Sequence, residues 1–145
     1  MDVYVRSIIG NGGDNMKRLM NASIVYGVLG LIGGVFYREF TKFNGFTDFT
    51  ILSVVHTHYL MLGMVFFLLL VVVEKSFHFV DNKVLKYLLF YHIGLKLTVV
   101  MLTIRGVVQV LSLDVSSAVL FGIAHLILGV SMNLVLFSFR NCIKD

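Results

Sequence analysis

Three histidines lie inside stretches that read as membrane-spanning helix. They are His56 and His58, in Ser53-Val-Val-His56-Thr57-His58-Tyr59, and His125, in Gly122-Ile-Ala-His125-Leu-Ile-Leu-Gly129. Lipid disfavours polar side chains, so an ionisable residue at membrane depth points to function. Imidazole is the commonest metal-ligating side chain and suits haem iron, copper or zinc. Residues two apart on a regular helix point about 200° apart, so His56 and His58 do not aim at one centre. His56 shares its face with Ser53, Thr57, Leu60 and Gly63, and His58 shares its face with Val54, Met61, Leu62 and Val65. The smaller, more polar face favours His56 for the bundle interior. Loosening of the helix near Thr50 would reverse that choice. Around His125, Ala118, Gly122, Gly129 and Met132/Asn133 form one narrow stripe. Small residues one turn either side of a histidine leave room for a bulky planar ligand, and they equally suit close helix packing.

Another apolar stretch carries His92, Lys96, Arg105 and Gln109. His92, Lys96 and Thr103 share one side, and Thr98, Arg105, Gln109 and Ser112 share roughly the opposite one. A helix with two polar stripes should be packed on both. Lys96 and Arg105 can snorkel toward the membrane surfaces. For Arg105 the alternative is a partner for an anionic group such as a haem propionate. By helix rise, His56 and His125 fall at about 9 and 13 Å from the outer helix ends. Antiparallel packing then gathers His56, His125, Arg105 and Gln109 in the outer half, leaving His92 alone in the inner half. His78 belongs to a solvated loop.

The elements that must position these residues follow from composition. Of 145 residues, 58% are hydrophobic and 14% charged, well below the roughly 25% charge of soluble chains. The mean hydropathy is +0.91. Four runs reach the roughly 20 residues that cross a hydrocarbon core: about 19–37, 50–73, 85–111 and 116–139. Proline is absent, so each span can be an unbroken helix with its backbone bonds satisfied internally. The short connections predict an all-α integral membrane protein, an antiparallel four-helix transmembrane bundle. Residues 1–15 read as a polar, glycine-containing tail, and residues 16–145 as a single transmembrane domain. The tail is expected to be a dispensable extension or an upstream start, and the first apolar run an uncleaved span rather than a signal peptide.

The net charge of +4 flanks the helices rather than forming a patch, so no nucleic-acid partner is implied; the partner is the lipid bilayer. Arg6, Lys17 and Arg18 precede the first span, Lys75, Lys83 and Lys86 lie between the second and third, and Arg140 and Lys144 follow the fourth. The positive-inside rule then puts both termini in the cytoplasm. Gly30 and Gly34 form a small-xxx-small pair, which suits a tight helix contact or a flat cofactor lying against that face. The lone Cys142 forms no intrachain disulfide and reads as an inert thiol.

Three function classes remain. In the first, interior histidines bind haem b or another metal in a redox or sensing role, with Arg105 on a propionate. In this reading His56, His58 and His125 are the candidate metal ligands, with Arg105 and Gln109 beside them. In the second, the protein is structural or accessory and its histidines hydrogen-bond across helices. The third, a small transporter, lacks the usual intramembrane carboxylate, because Glu39 and Glu74 sit at span ends. Hydrolytic chemistry has no support, since Ser53, Ser131 and His125 form no nucleophile-and-base pattern and no H-E-x-x-H occurs. A homodimer would supply partners for the second histidine of the pair and for one polar stripe of the third span. No redox partner is indicated.

Two resemblances bear on this reading. Gly33-Gly-Val-Phe-Tyr37-Arg-Glu-Phe-Thr-Lys-Phe-Asn44-Gly and Val55-His56-Thr-His58-Tyr-Leu-Met-Leu-Gly63-Met-Val-Phe-Phe67 resemble an uncharacterised bacterial family of small four-span membrane proteins. Met101-Leu-Thr-Ile-Arg105-Gly-Val-Val-Gln109-Val-Leu and the His125 segment are similar to its later parts. This likeness covers residue 16 to the end. It implies a multi-pass protein of the bacterial plasma membrane and supplies no activity. A fainter likeness, through His58, Met61 and Phe66-Phe67, is to the haem-bearing helices of the haem-copper oxidase large subunit. It implies haem and favours His58 over His56. Here Met61 falls three residues after His58 rather than four, and Tyr59 stands where the oxidase has glycine.

Overall fold

The structure is a computed structural model. It describes residues 2–113 and 118–143, with side chains placed from residues 13 and 122 onward in its first and last helices. The expected start of the last span at 116 lies outside the described residues. Four helical rods are long and apolar enough to cross a membrane: Gly13–Phe43, Ile51–Phe77, Asn82–Val110 and Gly122–Cys142. The first helix as a whole runs Asp2–Phe43, so the segment read as a polar tail is helical from residue 2 onward. The fourth helix runs Ala118–Cys142.

Local chemistry sets the ends of these rods. The first helix stops where Gly45, at φ 60°, turns the chain, as the second residue of an Asn-Gly pair commonly does. Thr50 is extended and its hydroxyl accepts from the Leu52 amide, starting the second rod. That rod ends at His78, in the left-handed conformation at φ 48°, whose amide donates to the Glu74 carbonyl at 2.9 Å. Asp81 caps the third helix, its carboxylate accepting from the Lys83 and Val84 amides at 2.9 and 2.8 Å. Side-chain oxygen at this position satisfies donors that the first turn leaves unpaired.

The second rod is not a uniform helix. It opens as a 3-10 turn over Ile51–Val54, passes through an α turn at Val55–Thr57, widens into a π-helix over His58–Val65 and returns to α over Phe66–Phe77. π segments are rare and cluster at functional sites. Neighbouring helices take up the carbonyls of this one. Ser23 donates to the Met64 carbonyl at 2.8 Å, and Tyr91 to the Leu62 carbonyl at 2.6 Å. Gly63 lets Tyr26 press directly on the widened turn, because a Cβ there would sit 2.5 Å from that of Tyr26.

Consecutive helices pack along one another, first on second, second on third and third on fourth. The third and fourth meet backbone to backbone: a Cβ on Gly94 would stand 2.8 Å from the Leu128 nitrogen. The core runs through Tyr26, Leu52, Phe67, Tyr91 and Leu95. Leu31, Val35 and Leu126 lie more than 60% exposed, as lipid-facing positions should. At one end of the bundle Asn15 meets Glu74 and Val80, and Phe139 meets Phe77 and Phe79. The start of the first span and the end of the fourth therefore lie at that end. The 43–51 connection and residues 111–113 mark the other, distal end.

Candidate functional site

The 3-10 start of the second rod decides where its histidines point. Gln109 of the third helix holds that start, its side-chain oxygen accepting from the Ile51 amide at 2.9 Å and the Thr50 hydroxyl at 3.2 Å. Gly106 lets Leu52 press in, since a Cβ there would lie 2.6 Å from the Leu52 nitrogen. A tightened turn before His56 and a widened one from His58 shift both rings from the regular helical register.

His56 packs on the first helix. Its Cβ lies 3.8 Å from the position a Cβ would take on Gly33 or Gly34. Leu60 covers Gly30, at 2.7 Å from the corresponding position. The glycine stripe is thus filled by the second rod, which leaves no slot for a flat cofactor on that face. Among the described residues, Nδ1 of His56 is buried without a hydrogen-bond partner, as is the Thr98 hydroxyl.

His58 meets His125 across the bundle. The ring centres stand 6.1 Å apart, with the planes at 89°. Nδ1 of His58 lies 2.8 Å from the Val54 carbonyl. A carbonyl only accepts, so Nδ1 carries a proton, and the lone pair available for a metal is that of Nε2. His58 lies seven residues from Ile51, and His125 seven from Ala118. Both are therefore about 10 Å below the distal ends of their helices. Gly122 and Gly129, one turn either side of His125, face open space. A shallow groove there is lined by His125, Gly129, Asn133 and Phe137. No neighbouring helix packs closely on either glycine, so the close-packing reading of the small residues around His125 is not met.

Arg105 lies eleven residues, about three turns, from Gly94 and one turn from Gln109. Gly94 faces the fourth helix and Gln109 the second rod. That register puts Arg105 on the side of the third helix between those two, where it is exposed. Gln109 itself serves as a cap.

The sequence reading favours His56 for the interior, yet His58 is the residue brought to His125. Among the described residues, no group of three His, Cys, Asp or Glu side chains could hold a metal ion. His56, His58 and His125 are therefore not assembled as a three-ligand set. His92, set aside as isolated, is well connected. Its Nδ1 lies 2.5 Å from the Tyr26 hydroxyl, and its ring stacks on Phe67 at 4.6 Å. The signal for it was the interior face of Tyr26, which the sequence places beside the glycine stripe of the first helix.

The fold and the site define a four-span helical membrane protein with a histidine pair at membrane depth. A family model described as "Protein of unknown function (DUF2871)" matches residues 16–142, and the chain belongs to this uncharacterised family. No curated protein and no solved structure matches it.

Proposed function

We propose that this protein binds haem in the membrane, where His58 and His125 would hold the iron, in a redox or sensing role. The observation that carries the reading is the spacing of the pair. Two metal–nitrogen bonds of about 2.0–2.1 Å, plus roughly 1.1 Å from each nitrogen to its ring centre, put two imidazoles about 6.3 Å apart. The observed separation is 6.1 Å. The hydrogen bond from His58 to Val54 fixes the ring with the ligating nitrogen bare, the usual arrangement behind a metal-bound histidine. Two protein ligands fall short of the three or four that zinc takes from its protein. A porphyrin brings four nitrogens of its own and asks the protein only for the axial positions. The open space at Gly122 and Gly129 suits its flat face, and Arg105 would supply the cation for a propionate.

In this reading the termini are cytoplasmic, because the basic residues concentrate at their end of the bundle, and the membrane is the bacterial plasma membrane. The site then lies toward the external surface. A homodimer would close the groove beside His125.

Protein purified in mild detergent from haem-replete cells should show a Soret band. His58→Ala and His125→Ala should each lose or shift it, and His56→Ala should keep it. A colourless, metal-free wild-type preparation would sink the reading. It would favour an accessory role, in which the interhelical bonds of Ser23, Tyr26, Thr50 and Tyr91 are the purpose of the buried polarity.

A further inference from the structure

We infer that His92 and Lys96 form a second site, which binds the carbonyl oxygen of a lipid-soluble quinone at bilayer mid-depth. Lys96 stands fourteen residues from Asn82 and fourteen from Val110, at the centre of the third helix. It lies ten residues, about 15 Å, from Lys86, which matches half the thickness of a hydrocarbon core. Its four-carbon stem covers only about one turn of that distance, so snorkelling does not bring the ammonium to water. Lys96 is exposed, and among the described residues it makes no hydrogen bond or ion pair. An ammonium held there calls for an acceptor.

His92 lies one turn away on the same face. Tyr26 is 2% exposed, and its hydroxyl has no other polar partner among the described residues. Its proton is therefore donated to Nδ1 of His92, and the proton of the neutral imidazole sits on Nε2. His92 is only half-buried. One face of the helix thus offers two donors, Nε2–H and Nζ–H, to the lipid.

Depth selects the ligand. Phosphate and fatty-acid carboxylate groups stay at the membrane surface, about 15 Å away. A second copy of the chain brings no carboxylate to this level, because Asp14, Glu39 and Glu74 all sit near the ends of their spans. A quinone ring, flat and uncharged, travels within the hydrocarbon and presents carbonyl oxygens that only accept. The site goes beyond the haem reading and does not depend on it. Ring contacts nevertheless connect the two: Tyr59, next to His58 in the chain, stacks on Tyr26 at 5.9 Å, and Tyr26 on His92 at 5.5 Å.

The test is equilibrium binding of radiolabelled decylubiquinone to the full chain in lipid nanodiscs, measured against empty discs of the same lipid. Wild type should bind in saturable excess. Lys96→Met should weaken binding about tenfold or more, the cost of a lost charge-assisted hydrogen bond, and Lys96→Arg should retain most of it. A Soret band measured on the same discs reports separately on the histidine pair and should be unchanged in Lys96→Met. No saturable excess in wild type, or equal binding by Lys96→Met, would overturn the proposal. So would displacement of the quinone by an equal concentration of oleate.

Discussion

Gly63 of the π segment lies directly against Tyr26 of the first helix, so closely that a Cβ would come within 2.5 Å of the tyrosine Cβ. The contact joins the widened turn that carries His58 to the residue that bonds His92. Substitution at Gly63 therefore bears on both the His58 and the His92 contacts. Gly63→Leu should overpack the contact and cost at least about 1–3 kcal/mol. In detergent, thermal unfolding should move down, and any Soret band should broaden or disappear with it. An unchanged melting curve would show that the two helices can part without loss.

The Tyr26–His92 bond is best measured as a cycle. Tyr26→Phe leaves Nδ1 of His92 without its donor, and His92→Phe leaves the Tyr26 hydroxyl without its acceptor. Each should cost about 1–3 kcal/mol in a buried setting. The double variant should recover part of the sum, with a coupling of about 0.5–3 kcal/mol. Additive losses would mean that the two groups do not depend on each other.

Gln109 tests cap against ligand. Gln109→Ala removes the acceptor for the Ile51 amide and the Thr50 hydroxyl and should lower stability by about 1–3 kcal/mol. Gln109→Glu keeps the acceptor and should lose less. Neither should abolish metal or haem content. If Gln109→Ala stays fully stable yet loses its cofactor, Gln109 belongs to the site.

Glu74 is 1% exposed. It accepts from the Val80 amide at 2.9 Å and from Asn15 at 3.4 Å, tying the second rod to the turn after it and to the first helix. Glu74→Ala should destabilise by about 1.5–3 kcal/mol, and Glu74→Gln, which keeps one acceptor, by less. Protease accessibility of the 77–82 connection is the convenient readout, with faster cleavage expected in Glu74→Ala.

The spans were legible because hydropathy and chain length alone determine them. Asn44-Gly45 and the short connections gave the turns and the antiparallel order. The glycine stripe of the first helix correctly announced a close contact. The choice between His56 and His58 was not legible, because it rests on the pitch of the second rod. That pitch is imposed from outside: Gln109 and Leu52 tighten the start, and Ser23, Tyr91 and Tyr26 hold the widened turn. No local residue pattern announces a π segment whose carbonyls are satisfied by other helices. Gln109 looked like a site residue for the same reason. A polar side chain at depth reads alike whether it meets a ligand or the end of a neighbouring helix. The joining of His92 to Tyr26 needed the relative rotation of two helices far apart in sequence.

The widened turn also bears on how chains of this family can change length. A π segment fits more residues into each turn than an α-helix does. Deleting one residue between His58 and Val65 would let the rod relax to an ordinary helix. All four spans would survive such an edit, and hydropathy would hardly register it. His58 would swing by about 100° and lose His125. A family member shorter by that one residue should keep the bundle and lack the paired histidines, so chain length at this point separates members that hold the pair from members that do not.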